Sequence, residues 1–136
     1  MTEIETLIPH RDPFLYVDRL LSISKEEIIG TKIFSNTDAF LRGSFPDFSF
    51  VPGTILMEAM AQCGGAGIKK LQLADGIFAF AGIENARFYH GVEYETIFTM
   101  VIRNIKIGAK YFKQNGIGLV DGKRCVELTW TCVKFG

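Results

Sequence analysis

Hydrophobic and polar positions along this chain divide it into stretches of different rhythm. Residues 2–7 read as a short helix that Pro9 ends. Residues 14–23 and 28–34 read as strands; in the second, Ile29, Thr31 and Ile33 are expected to face one way and Lys32 the other. Residues 35–52 are loop-like, punctuated by Gly43, Pro46, Asp47 and Pro52. From Gly53 to about residue 73 the chain is rich in Leu, Met, Ala, Gln and Lys and holds no Pro, which predicts one long helix. Lys69 and Lys70 come late in it, where cations suit the helix dipole. After Asp75-Gly76 the pattern is strand throughout: residues 77–89, 92–107, 110–120 and 123–133. Asp121-Gly122 is a two-residue hairpin signal between the last two strands, and Asn115-Gly116 is read as a bulge rather than a turn. In the final strand Val126, Leu128, Trp130 and Cys132 alternate with Glu127, Thr129 and Thr131, so one face is wet.

Two strands, one long helix and four more strands predict an α+β domain: a curved antiparallel β-sheet wrapped around one central α-helix. The helix is apolar on nearly every side, so a sheet of its own covers only part of it, and a second copy of the chain is the economical source of the rest. Composition strengthens that expectation. The 136 residues suit a single domain, 1–136, yet 48% of them are hydrophobic and twelve are Phe. Charge removes other partners: fifteen basic residues balance fifteen acidic ones with no basic block, so no nucleic acid is expected. No apolar run is long enough to span a membrane and the N-terminus lacks a secretory pattern, so the expected location is cytoplasmic. Three Cys without a Cys-x-x-Cys pair predict neither a disulfide framework nor a metal site, and no cofactor is implied.

One carboxylate stands out. Glu58 lies among Ile55, Leu56, Met57, Ala59, Met60 and Ala61, where every neighbour favours burial. The bland alternative is a surface acid, and that apolar setting argues against it. Gln62 is four residues on and shares its face of the helix, where an amide can hold the carboxyl in one rotamer. Gly53 opens the helix after Pro52; its amide is free, carries the positive dipole end, and has no side chain to keep a ligand away. Gly64, Gly65 and Gly67 are expected to serve close packing on the sheet or on a twin helix, and Cys63 to be a small buried apolar residue. Phe78, Phe80 and Phe88 are expected in the core, although a few of the twelve Phe could line a ligand wall.

These residues also carry a resemblance. Ile8-Pro9-His10-Arg11-Asp12-Pro13-Phe14-Leu15-Tyr16-Val17-Asp18-Arg19, Gly43-Ser44-Phe45-Pro46, Pro52-Gly53, Glu58-Ala59-Met60-Ala61-Gln62 and Ala86-Arg87-Phe88 resemble motifs of the 3-hydroxyacyl-acyl carrier protein dehydratases, which have the hotdog fold. The resemblance covers nearly the whole chain. It implies a lyase acting on acyl carrier protein or coenzyme A thioesters in fatty-acid or polyketide-type synthesis, assembled as a homodimer or higher even oligomer with sites shared between subunits. It further implies Glu58 as the catalytic acid, supported by Gln62, and Gly53, Phe45 and Pro52 as substrate-binding residues. Ser44 stands where that family has its catalytic histidine, and a serine hydroxyl is not a base near neutral pH. His10 is a candidate replacement at a family position that is not the catalytic one; its bland alternative is a structural ring bonded to a carbonyl. Ser44 leaves two further readings open. One is a catalytically impaired subunit that binds acyl thioester or carrier protein beside an active homologue. The other is a hotdog thioesterase, in which a helix acid directs water without any histidine.

Overall fold

The computed structural model describes residues 1–38, 41, 43 and 49–136. Ser44 and Phe45 therefore lie outside the described residues. The elements run α1 (Glu3–Leu7), β1 (Arg19–Ile23), β2 (Glu27–Ile33), α2 (Gly53–Lys70), β3 (Phe78–Phe88), β4 (Ile97–Ile107), β5 (Tyr111–Val120) and β6 (Lys123–Lys134). The strands form one sheet in the order β1-β2-β4-β5-β6-β3, every neighbouring pair antiparallel. Helix α2 touches β1, β2, β4, β5 and β6, so the sheet curls around it. Trp130, Phe112, Phe98, Met100, Ile102 and Leu128 from the sheet meet Leu56, Ala59, Met60, Cys63, Ala66 and Ile68 from the helix in one core.

Local chemistry sets the ends of these elements. Thr2 caps α1 in a capping box with Glu5. The helix α2 stops at Lys70 because Gln72 turns left-handed (φ 57°) and the Leu73 N–H donates to the Ile68 carbonyl at 3.1 Å, a Schellman closure. Asp121 (φ 51°) and Gly122 (φ 76°) both take the positive φ that a tight hairpin requires.

Several expectations need correction. Residues 14–18 are not strand: Gln62 from α2 takes the backbone groups of Phe14 and Tyr16, so a side chain fills the place of a neighbouring strand. Residues 92–96 are not part of β4; they pair instead with the chain before α2, through Val51 to Val92 and Tyr94 to Ser49. Asn115-Gly116 is neither turn nor bulge but continuous ladder, opposite Arg103 and Ile102. Gly116 is there because a methyl group would lie 2.6 Å from the Met60 side chain of α2. In β2 the core face carries Ile28 and Gly30, while Ile29 is half-buried and Ile33 exposed. This strand is apolar on both faces, so alternation could not choose between them.

Two surfaces remain uncovered. Beyond Phe78 every residue of β3 is exposed, including Phe80, Ile83 and Phe88, and β3 is an edge strand with a free row of backbone groups. On α2, Thr54, Met57, Glu58, Ala61, Gly65 and Lys69 form the stripe that the sheet leaves open.

Candidate active site

The open stripe of α2 is where Glu58 sits. Gln62, 2% exposed, is the residue that organises it. Its Nε2 donates to the Phe14 carbonyl and to Glu58 Oε2, both at 3.0 Å, and its Oε1 accepts from the Tyr16 N–H at 2.8 Å. One amide thus ties the N-terminal segment to the helix and holds the carboxylate. A hydrogen bond to a charged acceptor is worth on the order of 1.5–3 kcal/mol, enough to select one rotamer. The spacing of four residues anticipated the Glu58 contact; the two backbone contacts, 46 and 48 residues away in sequence, left no sequence signal.

His10 reaches the same carboxylate. Its Nε2 lies 3.6 Å from Glu58 Oε2, and its ring is about a third exposed. The loop carrying it is fixed by Arg11, whose guanidinium donates to the carbonyls of Ile8 (2.9 Å), His10 (2.7 Å) and Glu5 (2.9 Å). Lys70 of α2 pairs with Glu3 of α1 and steadies the same segment. Burial holds the His10 pKa below its ordinary value; the Glu58 charge opposes this, and Arg11 adds to it. Its Nδ1 has no hydrogen-bond partner among the described residues.

Glu58, His10 and Gln62 line one cavity of about 340 Å³. Its remaining wall is mostly apolar: Phe14, Phe78, Phe80, Phe112 and Phe135 contribute, and Cys132 lies across from the carboxylate. Burial, with a lesser push from Glu58, raises the Cys132 thiol to about 12, so it stays protonated and serves as wall. Burial alone does the same for Cys63, which is an apolar filler as expected. Phe80 is cavity wall rather than core, whereas Phe78 both packs against the core, on Phe112, and lines the cavity. The glycines of α2 divide as well. A methyl group on Gly64 would strike Gln114, and one on Gly67 would strike Ile28, so both are packing residues. Gly65 has nothing within 4 Å of that position and borders the cavity.

Gly53 is elsewhere. It opens α2 after Pro52, with no acidic residue in the first turn and no side-chain cap. Its α-carbon packs so tightly on the Phe88 ring that a methyl group would come within 2.6 Å of it. Close packing on Phe88 therefore suffices to explain this glycine. It lines a second recess with Pro52, Met57, Phe88, Tyr89 and His90, and that recess shares no residue with the Glu58 cavity. Five residues of α-helix turn through about 140° beyond a full turn, so Gly53 and Glu58 point to different sides. One chain brings together Glu58, Gln62 and His10; it does not bring Gly53 and Pro52 to them.

Comparison with known proteins shows what the chain is similar to. The chain is 36% identical over 134 residues to the 3-hydroxyacyl-acyl-carrier-protein dehydratase FabZ of Solibacter usitatus, covering 97% of this chain and 83% of that protein. It is 36% identical over 132 residues to the FabZ of Exiguobacterium sibiricum, covering 94% of each. Among solved structures, the dehydratase heterocomplex ApeI:P from Xenorhabdus doucetiae superposes with a TM-score of 0.84 at 16% identity, over all of this chain and 93% of that one. The FabA-like domain family matches residues 8–129, and with the relatives and the fold this places the chain in the FabA-like family of hotdog proteins.

Proposed function

We propose that this protein is a dehydratase-type lyase acting on 3-hydroxyacyl thioesters, carried by acyl carrier protein or coenzyme A, in fatty-acid or polyketide-type synthesis. The observation that carries the reading is Glu58, held by Gln62 at an apolar cavity of about 340 Å³. The wall suits an acyl chain, and the carboxyl is the polar group beside which C2 and C3 of the substrate would rest. Dehydration takes a proton from C2 and releases the C3 hydroxyl as water. Glu58, as the acid, protonates that hydroxyl, and in the reverse direction it takes the proton from the attacking water.

The thioester oxygen needs donors, and the first-turn amides of α2 supply them in a second copy of the chain. Two β3 edges paired antiparallel about a two-fold axis extend the sheet and bury Phe80, Ile83 and Phe88. In that pairing the Phe88 end of one strand lies beside the Phe78 end of the other. The second copy's Gly53 and Pro52 then approach the cavity that holds Glu58. Neither recess is a complete site by itself, and the exposed β3 edge supports their joining. The domain, in this reading, is the single unit 1–136, and its assembly is a homodimer or a higher even oligomer.

The test measures hydration of a short trans-2-enoyl thioester by loss of enoyl absorbance, and thioester hydrolysis separately. Glu58→Gln should lower hydration at least about a hundredfold while the fold is kept. Unchanged hydration in that variant rejects the assignment, and hydrolysis without hydration assigns a thioesterase. The second reading, a subunit working beside a histidine-bearing homologue, is favoured by Ser44 at the motif's histidine position. Activity that appears only on mixing with such a homologue would establish it.

A further inference from the structure

We infer that His10 is the base of the Glu58 site, working from the same subunit as the acid. This rests on the dehydratase reading above and supplies what Ser44 cannot. The ring and the carboxylate line one cavity, and His10 Nε2 stands 3.6 Å from Glu58 Oε2. The ring's other nitrogen, Nδ1, is buried and has no hydrogen-bond partner among the described residues. A structural histidine is commonly fixed by an Nδ1–H bond to a carbonyl; this one is placed by the loop that Arg11 braces and by a stacked contact with Phe14, at 6.3 Å between ring centroids. Burial of the ring disfavours its charged form. The lowered pKa, caused first by burial, has the same sign. The titratable and charged groups that face the ring are Glu58 from α2 and Arg11 from its own loop, with Lys69 of α2 bordering the same cavity; β3 presents Phe78 and Phe80, and β6 the protonated Cys132. Near pH 7 the ring is neutral and has a lone pair to give.

The step balances within the pair. In dehydration, a lone pair of the neutral His10 ring takes the proton from C2, and the C2–H electrons become the new C2=C3 bond. The C3–O bond breaks as Glu58 gives its proton to the departing oxygen, and water leaves. His10 then carries the extra proton and Glu58 lacks one. Transfer across the 3.6 Å gap restores both without solvent. Hydration runs the same steps in reverse.

The experiment uses the purified full chain and crotonyl-coenzyme A as probe, with kcat and KM followed across pH. His10→Gln keeps an amide near Nε2 but cannot accept a proton. It should lower kcat about a hundredfold with KM nearly unchanged, and it should abolish the alkaline limb of the hydration profile, because hydration starts from the protonated ring. In His10→Ala, added imidazole should restore turnover, because the vacated space opens on the cavity. A second readout is exchange of the C2 hydrogen of 3-hydroxybutyryl-coenzyme A in D2O, which His10→Gln should suppress. If His10→Gln retains wild-type turnover, or if the alkaline limb survives it, the inference is overturned while the Glu58 assignment stands. If the wild-type chain shows no hydration, the dehydratase reading and the inference fall together.

Discussion

The two recesses along α2 differ in what they offer a thioester. The Glu58 cavity has an acid, a fixed amide, a histidine and an aromatic wall. The Gly53 recess has the free amides of a helix N-terminus and no acid in its first turn. In the proposed reaction one set of groups would move protons and the other would stabilise negative charge. An α-helix cannot aim both at one substrate, since residues 53 and 58 lie about 140° apart around its axis. In the proposed dimer, pairing of the two β3 edges solves that problem by bringing a second helix. In that reading the exposed edge β3 and the divided site are two views of one requirement.

The largest effect expected from breaking this arrangement is at Ile83. It lies in the middle of β3 and is 45% exposed. Two-fold pairing of β3 would set Ile83 near its own twin, so Ile83→Lys would oppose like charges and expose apolar surface at once. Light scattering should show monomers, and hydration should fall at least about a hundredfold because each site loses its oxyanion donors. A variant that stays dimeric and active would remove β3 from the interface.

A smaller effect is expected at Gly65, which sharpens the contrast between the recesses by narrowing only one. Gly65→Leu places a side chain where nothing lies within 4 Å of the added carbon. The helix should gain roughly 0.5–1 kcal/mol from the loss of glycine, seen as a higher Tm. Turnover of a short enoyl thioester should persist, while a long-chain one should lose about tenfold or more as its binding is displaced. Equal losses for both lengths would mean that the acyl chain runs elsewhere.

Much of this arrangement is legible in the sequence, and what is hidden has physical causes. The long helix, the Asp121-Gly122 hairpin and the alternating last strand follow from local periodicity and turn chemistry. Glu58 and Gln62 follow from helix spacing. The segment 14–18 misleads because its backbone bonds go to a side chain 46 or more residues away, which no local pattern encodes. Gly64, Gly65 and Gly67 look alike in sequence. Only the position of the sheet separates the two that pack from the one that opens on the cavity. His10 stands in a motif whose spacing says nothing of Glu58, and only the fold brings them to 3.6 Å.

The central claim is that Glu58 of one copy works with the Gly53 end of another, and complementation between two defective chains tests it most directly. Glu58→Gln removes the acid; Gly53→Ala puts a methyl group against Phe88 at the oxyanion end. Each variant alone should be nearly inactive. Co-expressed with different tags and purified as mixed dimers, they form one native site and one doubly defective site, so activity should return to about half that of the wild-type dimer. If Glu58 and Gly53 serve one substrate within a single chain, no mixed dimer contains an intact site, and the activity would stay at the level of the separate variants.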